Sequence, residues 1–342
     1  MSRSTGRYVA CLLLAAGFWL TAPPLVSTAS ACSTPVFRYA MYRWEPAPYE
    51  VYYFHRGPLD EQVAEQHQWL KAVARSEERP ANLFVLAVDL EEDPELGSVP
   101  GDIRQRWQSL EDPQTPCYLV VTPQGVPIHR GDLQRADVQA LIDSPARQQI
   151  VQQLAEGKAG VMVLLTGSDD AANAAAEKVV RDFAADVAGG KIQMYTPPAV
   201  GVFPSVPEPG EQDEPSKPAV EIGYVRMDRE DPGERWTVQS LLSMEPDLKD
   251  EQFAAQPMMF VLFGRGRALP PCVGQGIHRN NLLHCLDFVT GPCSCTVKDQ
   301  NPGLDLLFAA DWHRAAERLA ARAGGEEGSE YLARPEVSPA VD

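Results

Sequence analysis

Two stretches of this chain repeat one order of elements: strand, helix, strand, helix, hairpin, helix. Each hairpin opens on a proline. Gln114-Thr115-Pro116 leads into CYLVVTPQG and VPIHRG, and Gln256-Pro257 leads into MMFVLFGRG and ALPPCVG. A recurring order of this kind predicts two units of the same architecture in tandem, an α/β class with βαβαββα order in each.

The individual segments carry the expected patterning. YEVYYFHRG (49–57) is rich in aromatic and β-branched residues and reads as a strand. Residues 59–77 have helical spacing through Leu59, Val63, Trp69, Leu70 and Val73. NLFVLAVDL (82–90) is a near-continuous apolar run, as expected of a strand buried on both faces. DIRQRWQSL reads as a helix, and 133–156 is helical with a break near Ser144-Pro145. The second copy starts at AGVMVLLTG (159–167) and continues through an Ala-rich helix at 169–188. It is completed by VEIGYVRMD (220–228), a helix near 233–243, the Pro257 hairpin and NNLLHCLDF. Ahead of the first copy, Thr34 and Pro35 suit a helix start. VFRYAMYRW follows, and its aromatic residues are expected to pack on the first sheet.

The N-terminus reads as an export leader. Arg3 and Arg7 are followed by an apolar stretch at 8–20, too short for the roughly 20 residues of a spanning helix. Ala29-Ser30-Ala31 is a small-residue cleavage site, so residues 1–31 are the predicted signal peptide and Cys32 the first mature residue. A lipidated Cys32 is the alternative, although Ala29 stands where a lipoprotein signal prefers Leu. Both readings put the protein in the periplasm or outside the cell, free or lipid-anchored through Cys32. Loss of the leader, with two arginines and no acids, lowers the formal charge from −17 to −19. That acidity argues against nucleic acid and anionic membrane as partners.

The predicted domains are 32–150, including the N-terminal helix, and 151–322. The second holds a Pro- and acid-rich insertion at 196–218, expected to be exposed and disordered, and a Cys-containing C-terminal segment. A Gly- and Glu-rich tail at 323–342 is expected to be disordered.

The element order, the two prolines and one local signature resemble the thioredoxin superfamily over most of 48–290. In the first copy VYYFH runs into Arg56-Gly57-Pro58-Leu59, where thioredoxins have Cys-Gly-Pro-Cys. The resemblance implies that Arg56 and Leu59 stand at the two cysteine positions, and that Pro116 and Pro257 stand at the cis-proline position. In the second copy the corresponding turn reads Thr166-Gly167-Ser168-Asp169. Neither turn has a thiol to ionise at a helix N-terminus, so the resemblance implies the scaffold without its usual exchange chemistry.

Six cysteines remain after the leader, in a compartment where disulfides are the default. Gly291-Pro292-Cys293-Ser294-Cys295 is the sharpest local feature. Its two cysteines suit structural disulfides, a labile redox pair, or thiolate ligands for copper or zinc with Cys285 as a third. Cys32, just before a helix start, is a second candidate redox nucleophile. Cys117, at the start of a buried strand, reads as a core position, and Cys272 and Cys285 read as core or disulfide positions. His55 and Arg56 stand where a helix N-terminus could hold an anion. The leading expectation is a non-catalytic binding or assembly module that holds a protein partner in the cell envelope. A thiol–disulfide oxidoreductase or a copper-handling protein using Cys293 and Cys295 is the alternative.

Overall fold

A computed structural model describes residues 34–111, 113–192, 220–292 and 297–323. The leader, Cys32, Cys293, Cys295, the 196–218 insertion and the tail beyond Ala323 lie outside the described residues. The chain is a mixed α/β protein with two sheets. No helix among the described residues is long and apolar enough to cross a membrane.

The first half contains α1 (Val36–Arg43), β1 (Tyr49–His55), α2 (Glu61–Ala74), β2 (Leu83–Asp89) and α3 (Gly101–Gln108). It continues with β3 (Cys117–Val121), β4 (Pro127–Gly131), α4 (Arg135–Ile142) and α5 (Pro145–Ala155). The sheet order is β2-β1-β3-β4. β1 runs parallel to β2 and antiparallel to β3, and β3 is antiparallel to β4. The predicted break at Ser144-Pro145 is a helix start. Ser144 caps α5 by accepting from Arg147 N, and Pro145 fills the first turn, where its missing N–H costs nothing.

The second half contains β5 (Gly160–Leu165), α6 (Asp170–Ala188), β6 (Ile222–Met227), α7 (Arg235–Leu241), α8 (Glu251–Ala254) and β7 (Met258–Phe263). It ends with β8 (Arg267–Ala268), β9 (Cys272–Val273), α9 (Arg279–Thr290), β10 (Leu304–Asp305) and α10 (Trp312–Ala323). The order is β10-β8-β7-β5-β6, with β9 also on β7. β5 is parallel to β6 and antiparallel to β7. β8 and β9 are two pieces of one strand along β7. Pro270 and Pro271, which have no N–H to give the ladder, separate them. The central strands β5 and β7 are buried along their whole length.

The two sheets share register as well as order. Phe54 lies opposite Cys117, and Leu165 opposite Met258. One residue further, Pro116 adjoins His55 and Pro257 adjoins Thr166. Thr166 therefore matches His55 rather than Arg56, a shift of one residue from the sequence alignment. The Thr115–Pro116 bond is cis, as expected, whereas Gln256–Pro257 is trans.

Two packing expectations are corrected. Helix α1 does not pack on the first sheet. Met41 and Tyr42 join the core of the second sheet, and Trp44 meets Phe263 edge-on at 6.3 Å. The buried Arg265 donates from Nε to Met41 O (2.8 Å) and from a guanidinium nitrogen to Tyr42 O (3.3 Å), and it pairs with Glu45. A cation thus satisfies the otherwise unpaired carbonyls at the C-terminus of α1. Strand β2 is not buried on both faces either. It is the edge of its sheet, and Phe84 is 46 % exposed.

A buried polar cluster joins the end of the first repeat to α7. Glu234 accepts from Ala146 N (2.7 Å) and from the Ser144 hydroxyl. Arg147 donates to Ser144 Oγ (3.0 Å) and to Leu141 O (2.6 Å). Burial, partly offset by Glu234, brings the Arg147 guanidinium down to about 10.

Candidate functional site

The two strand-to-helix turns are built alike. At the first, Asp89 Oδ1 accepts from Glu91 N (2.9 Å) and Gly57 N (3.2 Å). These amides, Glu91 first, hold the Asp89 carboxyl below its ordinary range. His55 Nδ1 bonds Gly57 O (2.9 Å), so that nitrogen carries the proton. Gly57 has φ +69°, a conformation that other residues adopt only with strain. Asp60 caps α2 by accepting from Gln62 N (2.8 Å). At the second, Asp228 Oδ1 accepts from Glu230 N (3.0 Å) and from Thr166 Oγ1 (3.4 Å). Asp169 Oδ1 caps α6, accepting from Ala171 N (2.9 Å) and Ala172 N (3.0 Å).

Both helix N-termini therefore already serve a carboxylate. Asp169 takes two first-turn amides of α6 and Asp60 takes one of α2, so the positive dipole end that would stabilise a thiolate or an outside anion faces a carboxylate at each. The second turn is also closed sterically. Gly167 N donates to Asn173 Oδ1 (2.8 Å), and Asn173 Nδ2 donates back to Gly167 O (2.9 Å). A Cβ on Gly167 would lie 2.3 Å from Ala255 O and 2.7 Å from the Gln256 carbonyl carbon. No side chain, cysteine included, fits there without moving backbone. Arg56 is exposed, while His55 is nearly buried.

Beneath the first turn lies a polar group that sequence patterning missed. His67 of α2 is 4 % exposed and stacks edge-on against Tyr53 and Tyr118. Gln66 Nε2 donates to Tyr118 Oη (3.0 Å), which leaves the phenol free to donate to His67 Nε2 (3.0 Å). His67 Nδ1 is buried with no hydrogen-bond partner. Burial, reinforced by Lys71 and His55, pushes the imidazole down to about 4, so it is neutral at physiological pH. Its place on the apolar face, four residues after Val63 and three before Leu70, was the available signal.

Of the singled-out cysteines, Cys32, Cys293 and Cys295 lie outside the described residues. Cys117 is buried in β3, as expected of a core position, and burial raises its thiol. Cys272 of β9 and Cys285 of α9 are partly buried, free cysteines. The Cys285 thiol, with burial, pushes the Cys272 thiol above its ordinary range, and the Cys272 thiol lowers that of Cys285. His278 caps α9 through Nδ1, accepting from Asn281 N, and His284 is exposed. No group of three or more His, Cys, Asp or Glu among the described residues could hold a metal ion.

No protein-family model, curated protein or solved structure matches this chain. The site must be read from its own geometry. Besides the closed turns, that geometry includes a groove of about 610 Å3 beside Pro257. Ala172, Ala176 and Val179 of α6 form one wall, and Val273 and Ile277 form the other. Its lining is mostly apolar, with Gln256 and Gln275 as the polar side chains, and it holds no ionisable side chain.

Proposed function

We propose that this protein is an exported, non-catalytic module that holds a protein partner in the cell envelope, built on two tandem thioredoxin-like scaffolds. The scaffold reading is supported by the shared strand order, by the matching positions of Pro116 and Pro257, and by the paired carboxylates Asp89 and Asp228. One observation carries the non-catalytic reading. Asp60 and Asp169 cap the two helices where exchange chemistry would need a thiolate, and Gly167 leaves no room for one. The test is reactivation of a scrambled disulfide substrate, with and without Cys293→Ser/Cys295→Ser. We expect neither protein to exceed the background rate, and turnover by the unaltered chain would overturn the reading.

A second reading is thiol exchange or copper handling at Cys293 and Cys295, with Cys32 or Cys285. It draws on the bridge between Pro35 and Pro292, closed by Val36 N donating to Gly291 O (3.0 Å). Cys293 follows Pro292, and Cys32 precedes Pro35 by three residues. Turnover, or copper bound one to one, that is lost in Cys293→Ser/Cys295→Ser would favour this alternative.

A further inference from the structure

Helices α1, α5 and α10 meet around a groove of about 390 Å3. Phe37 and Met41 of α1, Leu154 of α5 and Leu319 of α10 give it an apolar lining. Its charged side chains are Arg38, Lys158 and Arg322 against one acid, Glu156. Lys158 also pairs with the exposed Glu221 at 3.2 Å. Arg314 and Arg318, both exposed, precede Arg322 at four-residue spacing on the same face of α10, with Glu317 as the one acid of that helix. The groove is therefore locally basic in a chain whose formal charge is −17. Arg322 and Ala323 are the last described residues, so the chain leaves α10 at the groove itself. Residues 324–342 carry five acids and one arginine. They open on Gly324-Gly325, which lets the backbone reverse. Glu326, Glu327 and Glu330 follow, and then Tyr331-Leu332, the first large apolar residues after the helix.

We propose that residues 324–332 of the same chain fold back into this groove, with Tyr331 and Leu332 on its apolar lining and Glu326, Glu327 and Glu330 against Arg38, Lys158 and Arg322. Reach allows it. Extended chain spans roughly 3.3 Å per residue, so Tyr331 can stand up to about 26 Å from Ala323, whereas the whole of α10 is about 18 Å long. Tethering favours this occupant over a second copy or a separate partner. A segment joined to the groove by a short flexible stretch is present there at an effective concentration on the order of millimolar. A few exposed ion pairs and one aromatic anchor, each weak alone, then suffice to hold it. The disorder expected of the tail begins, on this reading, after Leu332. The groove shares no residue with the one beside Pro257, and the inference does not rest on the partner-holding reading.

The test uses the full chain with Tyr331 replaced by the photoreactive p-benzoylphenylalanine, a change outside the helices and strands. The dilute purified protein is irradiated, and cross-linked tryptic peptides are mapped by mass spectrometry. We expect links within one chain, to Phe37, Met41, Leu154 or Leu319. Adding Glu326→Lys/Glu327→Lys/Glu330→Lys should lower their yield at least about fivefold, through the loss of three exposed pairs and the repulsion that replaces them. Salt at about 0.5 M should lower the yield of the parent chain as well, because exposed charges are screened. Links only elsewhere in the chain, links between two copies, or no link at all would overturn the proposal. A groove yield that the three lysines leave unchanged would overturn it too.

Discussion

Asp89 and Asp228 stand at the same register position, one at the end of each sheet's second strand, and each turns Oδ1 back to the amide two residues on. The likeness extends to the caps: Asp60 and Asp169 each hold the amide two residues further along. Four carboxylates thus organise two turns, and hydrogen bonds accepted by a carboxylate are stronger than those between neutral groups.

The acid limb of stability should register this. The folded-state pKa of Asp89 is depressed, so its contribution is present above the ordinary carboxylate range and is lost as pH falls through the folded value. Asp89→Asn should flatten the drop in Tm below about pH 4 relative to the unaltered chain. A variant with an unchanged acid limb would show that these amides do not depend on the charge.

His67 acts in a different window. Its folded pKa lies near 4 and its unfolded value near 6.5. Between these the unfolded chain binds the proton and the folded chain does not, so stability falls as pH drops through this range and levels off below it. The fall should amount to about 3 kcal/mol. His67→Leu should remove that slope, leaving Tyr118 with its bond from Gln66. Urea denaturation at intervals from pH 4 to pH 7 measures the difference.

Glu234→Ala should cost about 3–5 kcal/mol in urea denaturation, since it strips a buried carboxylate from Ala146 N and Ser144 and leaves Arg147 buried without it. Glu234→Gln retains one acceptor and should cost less.

Gly167→Ala should destabilise by about 3 kcal/mol, because the new Cβ meets backbone that cannot rotate aside. Gly101→Ala is the control. Nothing lies within 4 Å of a Cβ at that position, at the first turn of α3, and the substitution should be neutral.

Much of the element order was legible in the sequence, because strand periodicity and Pro/Gly punctuation are local signals. Strands β1, β5 and β7 and the break before Pro145 fall where patterning put them. What failed depended on distance. Helix α1 was assigned to the neighbouring sheet by adjacency, but its partner Arg265 lies 224 positions from Met41. The apolar run of β2 gave no sign that the strand would form an edge. Arg147 and Glu234 are polar residues that pattern reading sends to the surface, and only tertiary partners explain their burial, whereas helical spacing does put His67 on the apolar face of α2.

The placement of α1 has a consequence for biogenesis. Helix α1 and Trp44 dock on Phe263, Arg265 and Gly291, which leave the ribosome long after them; Arg265 follows Met41 by 224 positions. Met41 and Tyr42 must therefore stay exposed, or be shielded by a chaperone, until that later segment has emerged. A nascent chain halted before the last hairpin is an aggregation hazard rather than a half-finished domain.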